Sequence, residues 1–150
     1  MTIEPHVQIK FTADQINVST ASELPTIGCG GECVFIGRTR PETHTEHGDL
    51  IALQYDCYED MARTELASIA DEAIATFSVR CIRITHSVET VPVHDASVVI
   101  AVGSNHRDEA CKACRFVIDN LKIRVPIWKQ EMWETETTWE AGEPLEQPAS

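Results

Sequence analysis

The sequence predicts an α+β domain in which a mainly antiparallel sheet carries helices packed on one face. Two long stretches, residues 58–77 and 104–124, place apolar residues at helical spacing. Shorter apolar or alternating runs, bounded by turn residues, indicate strands. The order of the core elements is strand, strand, helix, strand, strand, helix, which is typical of this fold class.

The first third of the chain predicts short elements. Apolar residues alternate over residues 7–11 and indicate a strand. Residues 12–15 have the spacing of a capping box, so a short helix is expected to begin there. Proline and glycine in residues 25–31 indicate turns. A compact strand then covers residues 33–37, and residues 41–48 form a polar loop.

The middle of the chain predicts the sheet and a long helix. Residues 51–55 alternate and indicate a strand. Residues 58–77 form an amphipathic helix. Residues 79–86 and 96–103 are two further strands, separated by a turn around residues 92–95.

A second helix follows the last of these strands. Ser104 and Asn105 are both good N-cap residues, because a short side-chain oxygen can accept a hydrogen bond from a free amide of the first turn. Pro126 cannot continue a helix, so the helix is expected to end near residues 122–124, with residues 128–129 on an extended segment. Its buried stripe consists of Ala110, Ala113, Cys114, Val117 and Leu121.

The stretch from Ser104 to Glu131 concentrates positive charge. Six of the twelve basic residues lie in it: Arg107, Lys112, Arg115, Lys122, Arg124 and Lys129. His106 and Arg107 stand at a strand-to-helix junction, where unpaired amides and the helix dipole favour anions. The pattern fits either an anion pocket or a helix with a solvated basic face.

Composition narrows the class of protein. A chain of 150 residues has the length of one domain. The net charge of −12 argues against general binding to nucleic acid or to anionic membranes. No apolar run approaches the roughly 20 residues that span a bilayer, and the N-terminus does not resemble a signal peptide, so we expect a cytoplasmic protein.

We assign residues 1–130 to a single catalytic domain and residues 131–150 to an acidic, partly disordered tail.

The six cysteines allow two interpretations. The pairs Cys29–Cys33 and Cys111–Cys114 have spacings that could supply a four-thiolate zinc site. The second pair, however, lies within a helix, where free cysteines usually act as small buried hydrophobic residues. We favour reduced, unbridged cysteines and no bound metal.

Several distinctive motifs lie between Gly30 and Trp139, about three quarters of the chain. They are residues 35–40 (FIGRTR), 53–55 (LQY), Tyr58, residues 61–62, Ser104 with 106–107, and residues 121–131 (LKIRVPIWKQE). Together these segments resemble the catalytic, large subunit family of molybdopterin synthase.

The resemblance implies a fold, a reaction and partners. The family fold is an α/β hammerhead. Its members transfer sulfur to cyclic pyranopterin monophosphate and so form the dithiolene of molybdopterin. The sulfur arrives as a thiocarboxylate on the C-terminal Gly-Gly of a small ubiquitin-like subunit. The large subunit is expected to be a homodimer within a heterotetramer, without a cofactor of its own.

The resemblance also implies the site residues. By position, the substrate would contact Arg38, Thr39, Arg40, His106, Arg107, Lys122, Lys129, Gln130 and Glu131. Arginine suits a cyclic phosphate because its planar fork can donate two hydrogen bonds. Lys122 is the first choice for acid–base chemistry and Lys129 for charge stabilisation, because a lysine desolvated among other cations has a lowered pKa.

Alternatives to this assignment remain open. Lys122 could simply compensate the dipole at a helix C-terminus. The chain could be a non-catalytic module that binds a phosphate ester or a partner's tail, or a structural zinc protein. His86 departs from the family pattern His-Arg-x-Gly, because Ser87 follows it. We interpret His86 as an ordinary histidine at a strand end.

Overall fold

A computed structural model describes residues 4–25 and 28–139. In the described residues the chain contains three helices, α1 (Val18–Ala21), α2 (Glu59–Phe77) and α3 (Arg107–Arg124). The strands are β1 (His6–Thr12), β2 (Gly31–Arg38), β3 (Thr43–His44), β4 (Gly48–Cys57), β5 (Val79–Ser87), β6 (Thr90–Pro92), β7 (Ala96–Ser104), β8 (Ile127–Trp133) and β9 (Thr137–Trp139).

Four strands form the first sheet, in the order β1-β5-β7-β2. Only β1 and β5 run parallel, and the other pairs are antiparallel. Every residue of β7 is buried, as expected of a strand covered on both faces. The predicted α+β class with a mainly antiparallel sheet is confirmed.

Helices α2 and α3 cover one face of the first sheet and form the main core. Its fully buried side chains include Leu66, Ile69, Ile82, Ile84, Ile100, Val102 and Val117. Burying one such side chain contributes about 1.5–3 kcal/mol relative to leaving it exposed. The short helix α1 packs on the opposite face, where Ala21 meets Val99 of β7. The two long helices therefore lie on one face as predicted, and α1 is the exception.

A second sheet, not foreseen as separate, has the order β3-β4-β8-β9, with β6 pairing to β4. It forms because β8 pairs antiparallel with β4, which lies far away in sequence. Strands β8 and β9 continue to Trp139, into the range 131–150 that the sequence suggested as a tail, since main-chain pairing tolerates the acidic side chains there. Residues 140–150 lie outside the described residues.

Two predicted helix starts were wrong. Helix α1 begins at Val18, because Asn17 Oδ1 accepts from Thr20 N at 3.0 Å, whereas Thr12 Oγ1 accepts from Asp14 N in a local turn. The N-cap of α3 is His106. The two polar residues before it are used elsewhere: the Ser104 hydroxyl donates to Ser78 O at 2.9 Å, and Asn105 Oδ1 accepts from Arg80 Nε at 3.1 Å.

The polar segment 41–48 is more ordered than a simple solvated loop. It contains β3, and the rings of His44 and His47 stack with centroids 4.4 Å apart. Within residues 4–25 and 28–139, no helix is both long enough and apolar enough to cross a membrane.

Candidate active site

One end of the first sheet gathers the residues of the candidate site. Gly37, Val98 and His86 are register partners across β2, β7 and β5, so they lie in one row. Arg38 follows directly after this row, at the end of β2. Helix α3 runs back along the sheet from β7, and its last turn, with Lys122, therefore returns to the same end.

His86 lies beneath two lysines at this end. Its side chain is 4% exposed, and its ring meets the Tyr55 ring edge-on with centroids 5.3 Å apart. Burial, together with the positive charges of Lys122 and Lys129, lowers the pKa of His86 to about 4, against the opposing effect of the hydrogen bond to Ser87. At neutral pH the imidazole is therefore uncharged. Nδ1 carries its proton, because it donates to Ser87 O at 2.8 Å.

The lowered pKa of His86 predicts a loss of stability in acid. The unfolded histidine takes up a proton near pH 6.5 and the folded one only near pH 4. The contribution of the neutral His86 to the free energy of unfolding is therefore complete above pH 6.5. It is lost as the pH drops from 6.5 to 4, and the total loss is about 3 kcal/mol. Chemical denaturation across this window checks the expectation against His86→Gln, which keeps a neutral donor. If the two proteins lose stability in parallel, the buried neutral histidine is not the cause.

Strand β8 presents Lys129 to the site. Lys129 is the register partner of Tyr55, so both side chains point to the same face of the second sheet, towards His86. Side chains alternate along a strand, so Glu131 shares that face and Gln130 points to the other. Glu131 Oε1 accepts a hydrogen bond from Thr138 Oγ1 at 3.4 Å.

The segment Arg38–Arg40 is anchored to β6 and to the turn between β6 and β7. Arg38 Nη1 donates to His94 O at 3.0 Å. The Thr39 hydroxyl is buried and donates to Val91 O at 3.0 Å, so Thr39 holds the segment in place. Arg40 is exposed and pairs with Glu42 at 3.2 Å.

His106 and Arg107 lie at the other end of the sheet. Ser104 pairs with Gly31, at the start of β2, whereas Arg38 ends that strand seven residues later, about 23 Å away. Along α3, the fifteen steps from Arg107 to Lys122 cover about 22 Å. Within one copy of the chain, the structure therefore brings Lys122 and Lys129 together with the Arg38–Arg40 end, but it leaves His106 and Arg107 apart.

An open groove of about 440 Å³ runs between β2 and α3 and reaches Lys122. Phe35 and Ile118 supply apolar walls, and Cys33 and Cys114 also line it. The sequence did not predict that Phe35 or Ile118 would line the groove. The only indication of such a role was that Phe35 lies in the strand that leads to Arg38.

The four-thiolate zinc site does not form. Cys29 lies beside Cys81, with the two sulfur atoms 3.7 Å apart, whereas Cys33 contacts Cys111 and Cys114. Over the described part of the chain, no group of three or more metal-ligating side chains could hold a metal ion.

Comparison with known proteins identifies relatives of the whole domain. The family model described as MoaE protein matches residues 11–124. The Homo sapiens molybdopterin synthase catalytic subunit is 37% identical over 135 residues, which cover 89% of this chain and 71% of the relative. The Taeniopygia guttata protein of the same name is 39% identical over 133 residues, or 87% of this chain and 84% of the relative. The crystal structure of molybdopterin synthase from Staphylococcus aureus superposes with a TM-score of 0.78 at 29% identity, covering 94% of this chain and 99% of the other.

Proposed function

Because the chain belongs to the MoaE protein family, the catalytic subunits of molybdopterin synthase, we propose that two copies of it complete each active site and there sulfurate cyclic pyranopterin monophosphate. The enzyme is a sulfurtransferase of molybdenum cofactor biosynthesis. We place it in the cytoplasm, where cysteines stay reduced; all six are free in the structure.

The observation that carries the two-copy site is the separation of its basic groups. Lys122 and Lys129 lie above His86, while Arg107 lies about 22 Å away along α3. One small anionic substrate cannot contact groups so far apart. A symmetric dimer can bring His106 and Arg107 of a second copy to the lysine end of the first, and symmetric dimers are the commonest oligomers.

The residue types suit the chemistry. Arg38 and Arg40 of one copy, with Arg107 of the other, supply guanidinium donors for the cyclic phosphate. Replacing a substrate oxygen with sulfur requires a proton for the leaving oxygen and stabilisation of negative charge. Lys122 supplies the proton and Lys129 the stabilising charge. Arg124, although close in sequence, is already paired with Glu65 and Glu72 of α2, both at 2.8 Å, so it has a structural role.

A non-catalytic binding module is the competing function. It would use the same cations to hold a phosphate ester or a tail without turnover. The buried, uncharged His86 favours the enzyme, because it places a floor without charge and closed to solvent beneath the lysines, and electrostatic effects on a reaction are stronger beside such a region than in bulk water. A variant that loses product formation but retains substrate binding separates the two functions.

We propose that the tail of the small partner subunit lies in the groove between β2 and α3. The groove is open to solvent, has apolar walls at Phe35 and Ile118, and leads to the ammonium group of Lys122. Two glycines have no side chains that could clash with the walls of the groove, and a terminal thiocarboxylate is attracted to lysine.

Deleting the last two glycines of the partner is therefore expected to weaken its binding about tenfold, the scale of one lost charge-assisted hydrogen bond. Titration calorimetry with the full chain measures the affinity. Phe35→Ala is the matching change in the groove. It should weaken the binding of the intact partner more than the binding of the shortened partner. Equal affinities for the intact and the shortened partner would place the tail outside the groove.

A further inference from the structure

Two thiols pack against each other at the end of the first sheet that carries His106 and Arg107. The sulfur atoms of Cys29 and Cys81 are 3.7 Å apart. Cys81 lies in β5 and is 2% exposed, whereas Cys29 precedes β2 and is only partly buried. The Cys81 thiol also donates to Pro25 O at 3.7 Å, so the pair joins the segment before β2 to the sheet.

Gly103 makes this contact possible. A Cβ added at Gly103 would lie 2.7 Å from the sulfur of Cys81 and 2.8 Å from that of Cys29. Any other residue would therefore push the two sulfur atoms out of their positions. With glycine there, the two sulfur atoms can lie in contact.

The segment that carries Cys29 supports the start of α3. Gly30 N donates to Ser104 O at 2.9 Å. A Cβ at Gly31 would lie 2.7 Å from Arg107 N, so the two backbones are in direct contact. A displacement of Cys29 is therefore transmitted to the backbone of Arg107.

We propose that Cys29 and Cys81 are an oxidisable dithiol whose disulfide shifts the His106–Arg107 junction and slows the enzyme. Its effect on turnover depends on the function proposed above, whereas formation of the bond does not. A peroxide is the oxidant. The Cys29 thiolate attacks hydrogen peroxide and becomes a sulfenic acid, with loss of hydroxide. The Cys81 sulfur then displaces water from that sulfenic acid as it gives up its proton. The net reaction converts two thiols and one peroxide into one disulfide and two waters.

The two cysteines have different roles in this sequence. Burial, and then the contact with Cys29, raises the pKa of Cys81 to about 12. Peroxide reaches the more exposed Cys29 more easily than the buried Cys81, so Cys29 is oxidised first. Cys81 acts second, where its fixed position beside Cys29 compensates for low reactivity.

The bond requires movement. A disulfide holds its sulfur atoms about 2.05 Å apart, so the present separation of 3.7 Å must close by more than 1 Å. Strand β5 is held by β1 on one side and β7 on the other, so the segment of Cys29 moves. A misplacement of about 1 Å in a catalytic arrangement can cost about 10² in rate. We expect the oxidised enzyme to be at least about tenfold slower at pterin concentrations well below KM, where the loss of phosphate binding by Arg107 is felt.

The test uses the full chain with its sulfur-loaded partner. After treatment with hydrogen peroxide, mass spectrometry of unreduced peptides should find Cys29 joined to Cys81. Turnover at pterin concentrations well below KM should fall at least about tenfold and recover with dithiothreitol. Cys29→Ser should form no such link and keep most of its turnover through the same treatment. Cys57→Ser, which removes a thiol of the second sheet, should behave like the unchanged protein.

Three results would overturn the proposal: no Cys29–Cys81 peptide, an equal loss of turnover in Cys29→Ser, or a link that leaves turnover unchanged. Cys29→Ala controls for an effect of the serine side chain itself, because this variant must resist peroxide as well. The function proposed above is tested on fully reduced protein, so its failure would be seen before any peroxide is added.

Discussion

Lys122→Ala is expected to lower turnover by about 10²-fold or more, the usual scale for a lost acid–base or charge-stabilising group. Lys122 lies in the last turn of α3, where it lines the groove, and its charge reaches His86. Its side chain is exposed, so few core contacts are lost and the melting temperature should change little. The measurement is dithiolene formation with thiocarboxylated partner, alongside thermal melts.

Lys112→Ala is the matched control. Lys112 lies ten residues earlier on the same helix, about 80° around its axis, where it pairs with Asp108 at 3.0 Å in solvent. Its loss should leave both turnover and stability nearly unchanged, since exposed ion pairs contribute little. Turnover above about half of the unchanged enzyme in a normally folded Lys122→Ala would refute the catalytic role. A much lower melting temperature would assign the loss to folding instead.

Arg107→Ala is expected to lower kcat/KM about tenfold or more, because a charge-assisted hydrogen bond to an anion is worth about 1.5–3 kcal/mol. The effect should appear mainly in KM, since Arg107 holds the phosphate and not the reacting atoms. Arg107→Lys keeps the charge without the planar fork, so its kcat/KM should lie between that of the unchanged enzyme and that of Arg107→Ala. Steady-state kinetics over a range of pterin concentrations separate the parameters. An unchanged KM in Arg107→Ala would remove this residue from the site.

Periodicity predicted the elements of this fold because helical and alternating patterns are local. Helix α2 over Glu59–Phe77 and strand β7 over Ala96–Ser104 follow directly from their apolar residues. The second sheet was missed because it depends on β8 pairing with β4, some seventy residues earlier, and no local pattern encodes that partner. The capping errors arose because several polar residues in a row can each serve as a cap, and tertiary hydrogen bonds decide which one does.

The candidate site was predicted as a set of residues but not as an arrangement. The resemblance supplied Lys122, Lys129 and Arg107, yet the residue types alone could not reveal that one copy separates them. His86 was interpreted as an ordinary strand-end histidine, and its bond to Ser87 O agrees with that. Its position beneath both lysines depends on the meeting of two sheets, which the sequence could not show. The pairing of Cys29 with Cys81 was hidden for the same reason.

The central claim, that each site combines two copies, is tested most directly by mixing two impaired variants and measuring turnover at pterin concentrations well below KM, where both variants are slow. Lys122→Ala and Arg107→Ala are unfolded and refolded together, and light scattering first confirms that the product is a dimer. In a mixed dimer, one site receives Lys122 from one copy and Arg107 from the other, so it is intact. Random pairing makes half of the dimers mixed, and each has one working site of two, so about a quarter of full turnover should return. Turnover no higher than the average of the two separate variants would show that each site is built within a single copy.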